Sequence, residues 1–201
     1  MTLTSWNILD LIAGVGEETV MMMMEPFSCV KTVDGEDKNL NPDIERFLKE
    51  NAIQFAKEKK SITYLVGNEA TGDILGYFTL AHKAVVIPAD GLSKTTIKRM
   101  NRYAQLNEDS NTFTVSGFLI AQLGKNYAIE DGNLIKGSEL MHLVRNELLE
   151  IQYRAGGGLI YLDCEADARL IDFYEQEGFK LFGERISQHD GKRYLQYMKF
   201  V

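Results

Sequence analysis

Few residues of this 201-residue chain can do chemistry, and they lie far apart. The run DFYEQEGF, Asp172 to Phe179, puts Tyr174 on a helix that Gly178 ends. A tyrosine hydroxyl has a reference pKa of about 10, so at neutral pH it keeps its proton and can give it to a basic leaving group. Leu170 and Phe173 are expected to face the core, which leaves Tyr174 one residue round the helix, near a sheet edge. Phe179, beyond the glycine, can pack back onto the last turn. Earlier in the chain, Gly124 to Ser138 reads as a strand end, a loop and a helix start. Unpaired backbone N–H groups at such a junction, reinforced by the helix dipole, form a site for phosphate. The dense glycine cluster Gly156 to Gly158 precedes a strand rather than joining strand to helix. It therefore does not fit a dinucleotide-binding fingerprint and reads as a tight turn.

Other chemistries have little support. Cys29 and Cys164 lack the spacing of a metal knuckle or redox pair, and read as reduced cytoplasmic thiols rather than a disulfide. Cys164, at a strand end, could serve a covalent mechanism. No histidine lies near it in sequence, and free cysteine is commonly buried, so a structural thiol is expected. His82, His142 and His189 are too scattered for a metal motif, and no metal is predicted. The formal charge of −7 argues against a broad nucleic-acid surface. The basic stretch Lys94 to Arg102 reads as the solvated face of an amphipathic helix. The apolar stretch Trp6 to Gly14 is interrupted by Asp10 and is too short to cross a bilayer, so neither secretion nor insertion is expected.

The elements that must position these residues follow from periodicity. Trp6 to Ala13 and Glu17 to Met24 read as two short helices, the Met run packing a core, with an apolar strand as the alternative for that run. Asn41-Pro42 is a helix start, with Asn as cap and Pro at the first position. Ile44, Phe47, Leu48, Ala52, Phe55 and Ala56 recur behind it at helical spacing, on a face that should cover a sheet. Ser61 to Gly67 and Asp73 to Ala81 form a hairpin about the turn residues NEATG. Ser93 to Ala104 is a helix, and Asn111 to Gly124 a long central strand. Ser138 caps a helix running from Glu139 to about Tyr153. Leu159 to Cys164 is a strand, Ala166 to Glu177 a helix, and Lys180 to Ser187 with Lys192 to Val201 a hairpin turned at Asp190-Gly191. From Ser61 the order is ββαβαβαββ, with no repeat or linker dividing the chain.

That order, with FYEQEGF on the helix after the second central strand, resembles the GNAT N-acetyltransferases. Within it, LNPDIERFLKENA followed by ITYLVGNEATGDILGYFTLA is similar to the subgroup that includes bacterial toxin acetyltransferases. The resemblance implies an α/β (α+β) fold with a mixed central sheet flanked by helices. It also implies one domain, with N-terminal helices over residues 1–60 and an acyltransferase core over 61–201. Acetyl-CoA is the implied co-substrate, in a wedge between the strand ending near Gly124 and the strand Leu159 to Cys164. The backbone of Leu123, Gly124 and Lys125 would pair with the pantetheine arm. The loop through Gly132, Asn133, Lys136, Gly137 and Ser138 would hold the pyrophosphate. The family loop usually reads Q/R-x-x-G-x-G/A, whereas DGNLIKG keeps only Gly137 in register, so Leu134 and Ile135 must turn their side chains away. Asp167 stands where the family often has Asn, and its carboxylate must face away from an anionic cofactor. Tyr174 matches the family's general acid. The expected strand from Thr112 to Leu123 carries no carboxylate, which leaves Glu69, Asp73, His82, Asp163, Glu165 or direct loss to water for the amine's proton. The implied acceptor is a small-molecule, peptide or protein amine. The alternatives are an aminoacyl-tRNA, against which the acidic balance speaks, and a non-catalytic CoA-binding module. A homodimer is left open, and the implied location is cytoplasmic.

Overall fold

Asn7 sets the first boundary of the chain. Its Oδ1 accepts from the Leu9 amide at 2.9 Å, so a helix starts at Ile8 and the preceding residues extend into a strand. The computed structural model describes residues 2–33, 36–129, 135–188 and 191–200. They fall into two compact units, Met1–Ala81 with Ala121–Asn146, and His82–Ile120 with Glu147–Val201. Each unit is built from separated stretches of sequence.

In the first unit, β1 (Leu3–Asn7) pairs antiparallel with β4 (Ile62–Asn68), and β4 with the first half of β5 (Ile74–Pro88). The expected helix from Trp6 therefore loses its start. Trp6 sits opposite Leu65, and its ring fills the space a side chain at Gly67 would need. The helices α1 (Ile8–Val15) and α2 (Glu17–Met24) meet at Gly16, whose φ of 86° suits only glycine. The Met run is helical, with Met24 buried and Met21 and Met22 exposed. A ribbon unforeseen in the sequence, β2 (Val30–Val33) with β3 (Glu36–Asn39), follows. The expected single helix after Asn41 is three pieces, α3 (Pro42–Arg46), a π-helical turn (Phe47–Asn51) and α4 (Ala52–Lys57). Pro42 takes the first helical position, but Asn41 makes no capping bond with its side chain; its own amide donates to Asn39 Oδ1 at 3.2 Å. Leu48, Ala52 and Ala56 face Ile8, Val20, Leu65 and Tyr77 in one core.

In the second unit the strands follow in the order β5, β7 (Thr112–Lys125), β8 (Leu159–Glu165), β10 (Arg193–Phe200) and β9 (Lys180–Ile186), with the short β6 (Leu106–Asn107) also on β7. β7 and β8 run parallel, while β8 with β10 and β10 with β9 are antiparallel, so the sheet is mixed. α5 (Lys94–Met100), capped by Ser93 Oγ on the Thr96 amide at 3.1 Å, lays Met100 and Ile97 on Phe113, Val115, Leu159, Tyr161 and Met198. Opposed residues of an antiparallel pair share a face. The pairs Leu195 with Cys164 and Tyr197 with Leu162 therefore lie opposite the face that α5 covers, and α7 (Ala168–Gln176) packs its aromatic residues there. β5, β7 and the long helix α6 (Gly137–Ala155) each pass from one unit into the other.

Candidate active site

In the second unit the site is organised around α7. Asp167 caps it, with Oδ1 accepting from the Arg169 and Leu170 amides at 2.9 and 3.4 Å and the Arg169 guanidinium alongside. The hydrogen bond from Arg169 holds this carboxyl below its usual range, so the charge is spent on the protein's own helix. At the other end Gly178, at φ 83°, lets the Phe179 amide return to the Tyr174 carbonyl at 3.0 Å. Tyr174 is the buried residue of this helix, 8 % exposed, while Phe173 and Leu170 are only partly covered. This reverses the expected facing. The cause is an aromatic cluster: the Tyr174 ring lies 5.1 Å from Phe173, 5.9 Å from Phe179 and 6.4 Å from Tyr197, all within range for favourable ring contacts.

Burial, with the Cys164 thiol as a second contributor, raises the Tyr174 phenol above its ordinary range. Among the described residues nothing accepts a hydrogen bond from its hydroxyl. Cys164 is pushed up to about 11 by burial and by Asp163, and Cys29 up to about 12 by burial and by Glu45. Neither is a thiolate at neutral pH, which removes the nucleophilic form. Of the candidate bases, Asp163 accepts from Arg185 at 2.6 Å and Gln196 at 3.1 Å, and Glu165 accepts from Lys192 at 2.7 Å. Asp73 accepts from the Thr71 hydroxyl in the β4 to β5 turn. Glu69 lies exposed in the same turn. His82 is exposed on β5, its Nε2 2.9 Å from Ser116 Oγ and its ring 5.0 Å from Phe118.

In the first unit the candidate residues gather at the end of β7 and the start of α6. Leu123, Gly124 and Lys125 are the last three residues of β7. Gly124 is close-packed: a methyl there would lie 2.6 Å from Ile44 Cγ2 and 2.8 Å from the Tyr77 ring. Tyr77 is itself fixed by donating its hydroxyl to the Ile44 carbonyl at 2.6 Å. The next residue, Asn126, was not foreseen. It is 3 % exposed; Oδ1 accepts from the Ser28 and Ala128 amides, each at 3.0 Å, and Nδ2 donates to the Ile74 carbonyl at 2.8 Å. A strand-ending Asn is common enough that only its burial distinguishes it. α6 begins at Gly137, so Ser138 lies inside the first turn rather than capping it. The Glu139 carboxylate instead accepts from the Lys136 amide at 2.8 Å. Ser138 and Glu139 line an open hollow of about 370 Å³ with Leu3, His142, Leu143 and Asn146. Ile135 is buried, its side chain turned inward beside Gly76. Gly132, Asn133 and Leu134 lie outside the described residues. Among the described residues no group of His, Cys, Asp and Glu is arranged to hold a metal.

No family model matches the sequence, and no curated protein sequence is similar to it. Solved structures are similar. A tyrosine-to-phenylalanine variant of KacT superposes at a TM-score of 0.61 and 16 % identity, over 98 % of this chain and 95 % of that one. AtaT complexed with acetyl-methionyl-tRNAfMet gives 0.59 at 12 % identity, over 96 % and 94 %. An acetyltransferase of the GNAT family from Desulfovibrio desulfuricans, described as putative, gives 0.50 at 11 % identity, over 99 % of each chain. The chain has the GNAT fold. In GNAT terms, β7, α6, β8 and α7 are the strand, helix, strand and helix on which the expected site residues were placed.

Proposed function

We propose that the chain is an N-acetyltransferase that passes acetyl from acetyl-CoA directly to a primary amine in a ternary complex, with Tyr174 as the general acid. The observation that carries this reading is the buried phenol of α7, kept neutral by its surroundings in a GNAT fold. The neutral amine attacks the thioester carbonyl, the C–S bond breaks, and the CoA thiolate takes the Tyr174 proton, which solvent then restores. The amine's own proton leaves to water or to His82, since Asp163 and Glu165 are engaged with cations. Direct transfer is favoured over an acyl-cysteine intermediate because the Cys164 thiol is pushed up to about 11.

For the co-substrate, we place the pantetheine arm along the backbone of Leu123, Gly124 and Lys125, and the pyrophosphate at the loop and helix start of Gly132, Asn133, Lys136, Gly137 and Ser138. Support comes from the first turn of α6, whose N–H groups favour an anion. A similar structure, a tyrosine-to-phenylalanine variant of AtaT bound to the C-terminus of the antitoxin AtaR and acetyl-CoA (TM-score 0.56, 12 % identity), agrees with that choice of co-substrate. The AtaT complex with acetyl-methionyl-tRNAfMet adds an aminoacyl-tRNA to the amines worth testing beside small amines, peptides and protein lysines. Calorimetry with acetyl-CoA and CoA, paired with a free-thiol release assay over those amines, tests the reading. Saturable binding with release on at least one amine is expected. Binding without turnover on any of them points to a CoA-binding module, and no binding at all refutes the proposal.

A further inference from the structure

His82 and Ser116 sit at the inner end of an exposed stretch of sheet in the second unit. Alternation fixes the faces there. Val85 and Ile87 on β5 and Phe113 and Val115 on β7 pack in the core with Met100 of α5, so His82, Ala84 and Val86, with Thr114, Ser116 and Phe118, face the other way. That is also the face on which Tyr174 meets Tyr197, because Phe118 lies opposite Ile160 and Tyr197 opposite Leu162. Burial changes abruptly along it: Phe118 and Ile160 are buried, whereas His82, Ala84, Val86, Thr114 and Ser116 are exposed. His82 stands at that boundary, its ring 5.0 Å from Phe118 and its Nε2 2.9 Å from Ser116 Oγ. The other candidate bases of this unit, Asp163 and Glu165, are engaged by the cations Arg185 and Lys192, whereas the hydrogen-bond partner of His82 is neutral.

A neutral imidazole has one N–H and one lone pair. If the Ser116 hydroxyl donates to Nε2, that lone pair is consumed and Nδ1 is a donor. If Nε2–H donates to Ser116 Oγ, Nδ1 keeps the lone pair and is the base. The second contact also survives protonation, because Oγ accepts from an imidazolium as it does from the neutral ring. Deepening the proposed function, on which this rests, we propose that His82 is the general base for the acceptor amine and that Ser116 is the positioning residue that holds it in the Nε2–H tautomer. As the amine nitrogen bonds to the thioester carbon, one N–H proton passes to Nδ1 and its bonding pair stays on nitrogen. The imidazolium then returns the proton to solvent. Phe118 backs the ring, and the exposed residues beyond it give the amine an approach across the sheet.

The test has two arms, both on the full chain. In the first, nitrogen NMR of the unliganded protein at about pH 9, well above the imidazole reference value of about 6.5, reads the tautomer of His82, whose signals are assigned by their loss in His82→Gln. An unprotonated Nδ1 is expected in the unaltered protein and in Ser116→Thr, which keeps the hydroxyl on a residue suited to a strand. Ser116→Ala should show a mixture of tautomers. In the second arm, thiol release is measured with acetyl-CoA and whichever primary amine of the panel above is turned over fastest. His82→Gln should lower kcat by about 100-fold or more. Ser116→Ala should lower it by about tenfold, the size of one orienting hydrogen bond. The KM for acetyl-CoA should be unchanged in both, and Ser116→Thr should restore the rate. Both residues are exposed, so these replacements leave the core intact. A protonated Nδ1 in the unaltered protein overturns the inference. So does normal turnover by His82→Gln, a Ser116→Ala protein that matches the unaltered one, or a loss that threonine does not repair; each of these leaves the proposed acetyl transfer standing. Failure of the unaltered protein to turn over any amine removes both.

Discussion

Replacing Tyr174 by Phe removes one oxygen and leaves the ring in its cluster with Phe173, Phe179 and Tyr197. Because nothing described accepts from that hydroxyl, its removal strands no partner, and the folded state should keep its stability to within about 0.5 kcal/mol. A positioned general acid contributes roughly 10²–10⁴-fold to rate, or about 3–5 kcal/mol of barrier. The expected signature is thus a large fall in kcat with an unchanged melting temperature and unchanged acetyl-CoA affinity. It is read from initial rates of thiol release at saturating co-substrate, alongside thermal melts and calorimetry. Equal kcat for the two proteins refutes the acid role. A fall in kcat matched by weaker cofactor binding or lower stability assigns Tyr174 to positioning instead.

Four further outcomes follow from the geometry. Cys164→Ala should turn over like the unaltered protein, because a thiol near pKa 11 is not the nucleophile; loss of all turnover would point to an acyl-cysteine. Gly124→Ala should destabilise by about 1–3 kcal/mol through overlap with Ile44 and Tyr77, measured by urea unfolding. Asn126→Ala should cost about 2–4 kcal/mol, since the buried amides and carbonyl it serves lose their partners; a near-neutral effect would show that water replaces it. Burial raises the phenols of Tyr77 and Tyr174, so between the unfolded and folded pKa values the folded state holds more protons. Their contribution to stability is complete below about pH 10, the ordinary phenol value, and is lost as pH rises beyond it. Urea midpoints flat to pH 9 and falling toward pH 11 are expected, and midpoints constant to pH 11 would contradict the burial.

The parts of this site legible in the sequence are those where one residue type has one backbone use. Gly178 ends α7 with positive φ, and Pro42 opens α3, as their chemistry requires. Periodicity located β7, α6, β8 and the terminal hairpin to within a few residues. It did not fix which of two adjacent aromatics on α7 faces inward, because Phe179 and Tyr197, distant or beyond a turn, decide that Tyr174 is the buried one. β1 was hidden because Trp6 continues an apolar run into α1, and only the Asn7 side chain marks the change. The β2–β3 ribbon is polar and short, without alternation strong enough to reveal it. Asn126 looks like any loop asparagine until its three side-chain bonds are seen.

The account stands on acyl-CoA occupying this fold, and titration of the full chain with acetyl-CoA in a calorimeter tests that most directly. It predicts one saturable site per chain with a dissociation constant in roughly the micromolar to millimolar range usual for enzyme substrates. A flat titration at millimolar acetyl-CoA, from protein shown by its melt to be folded, would contradict it.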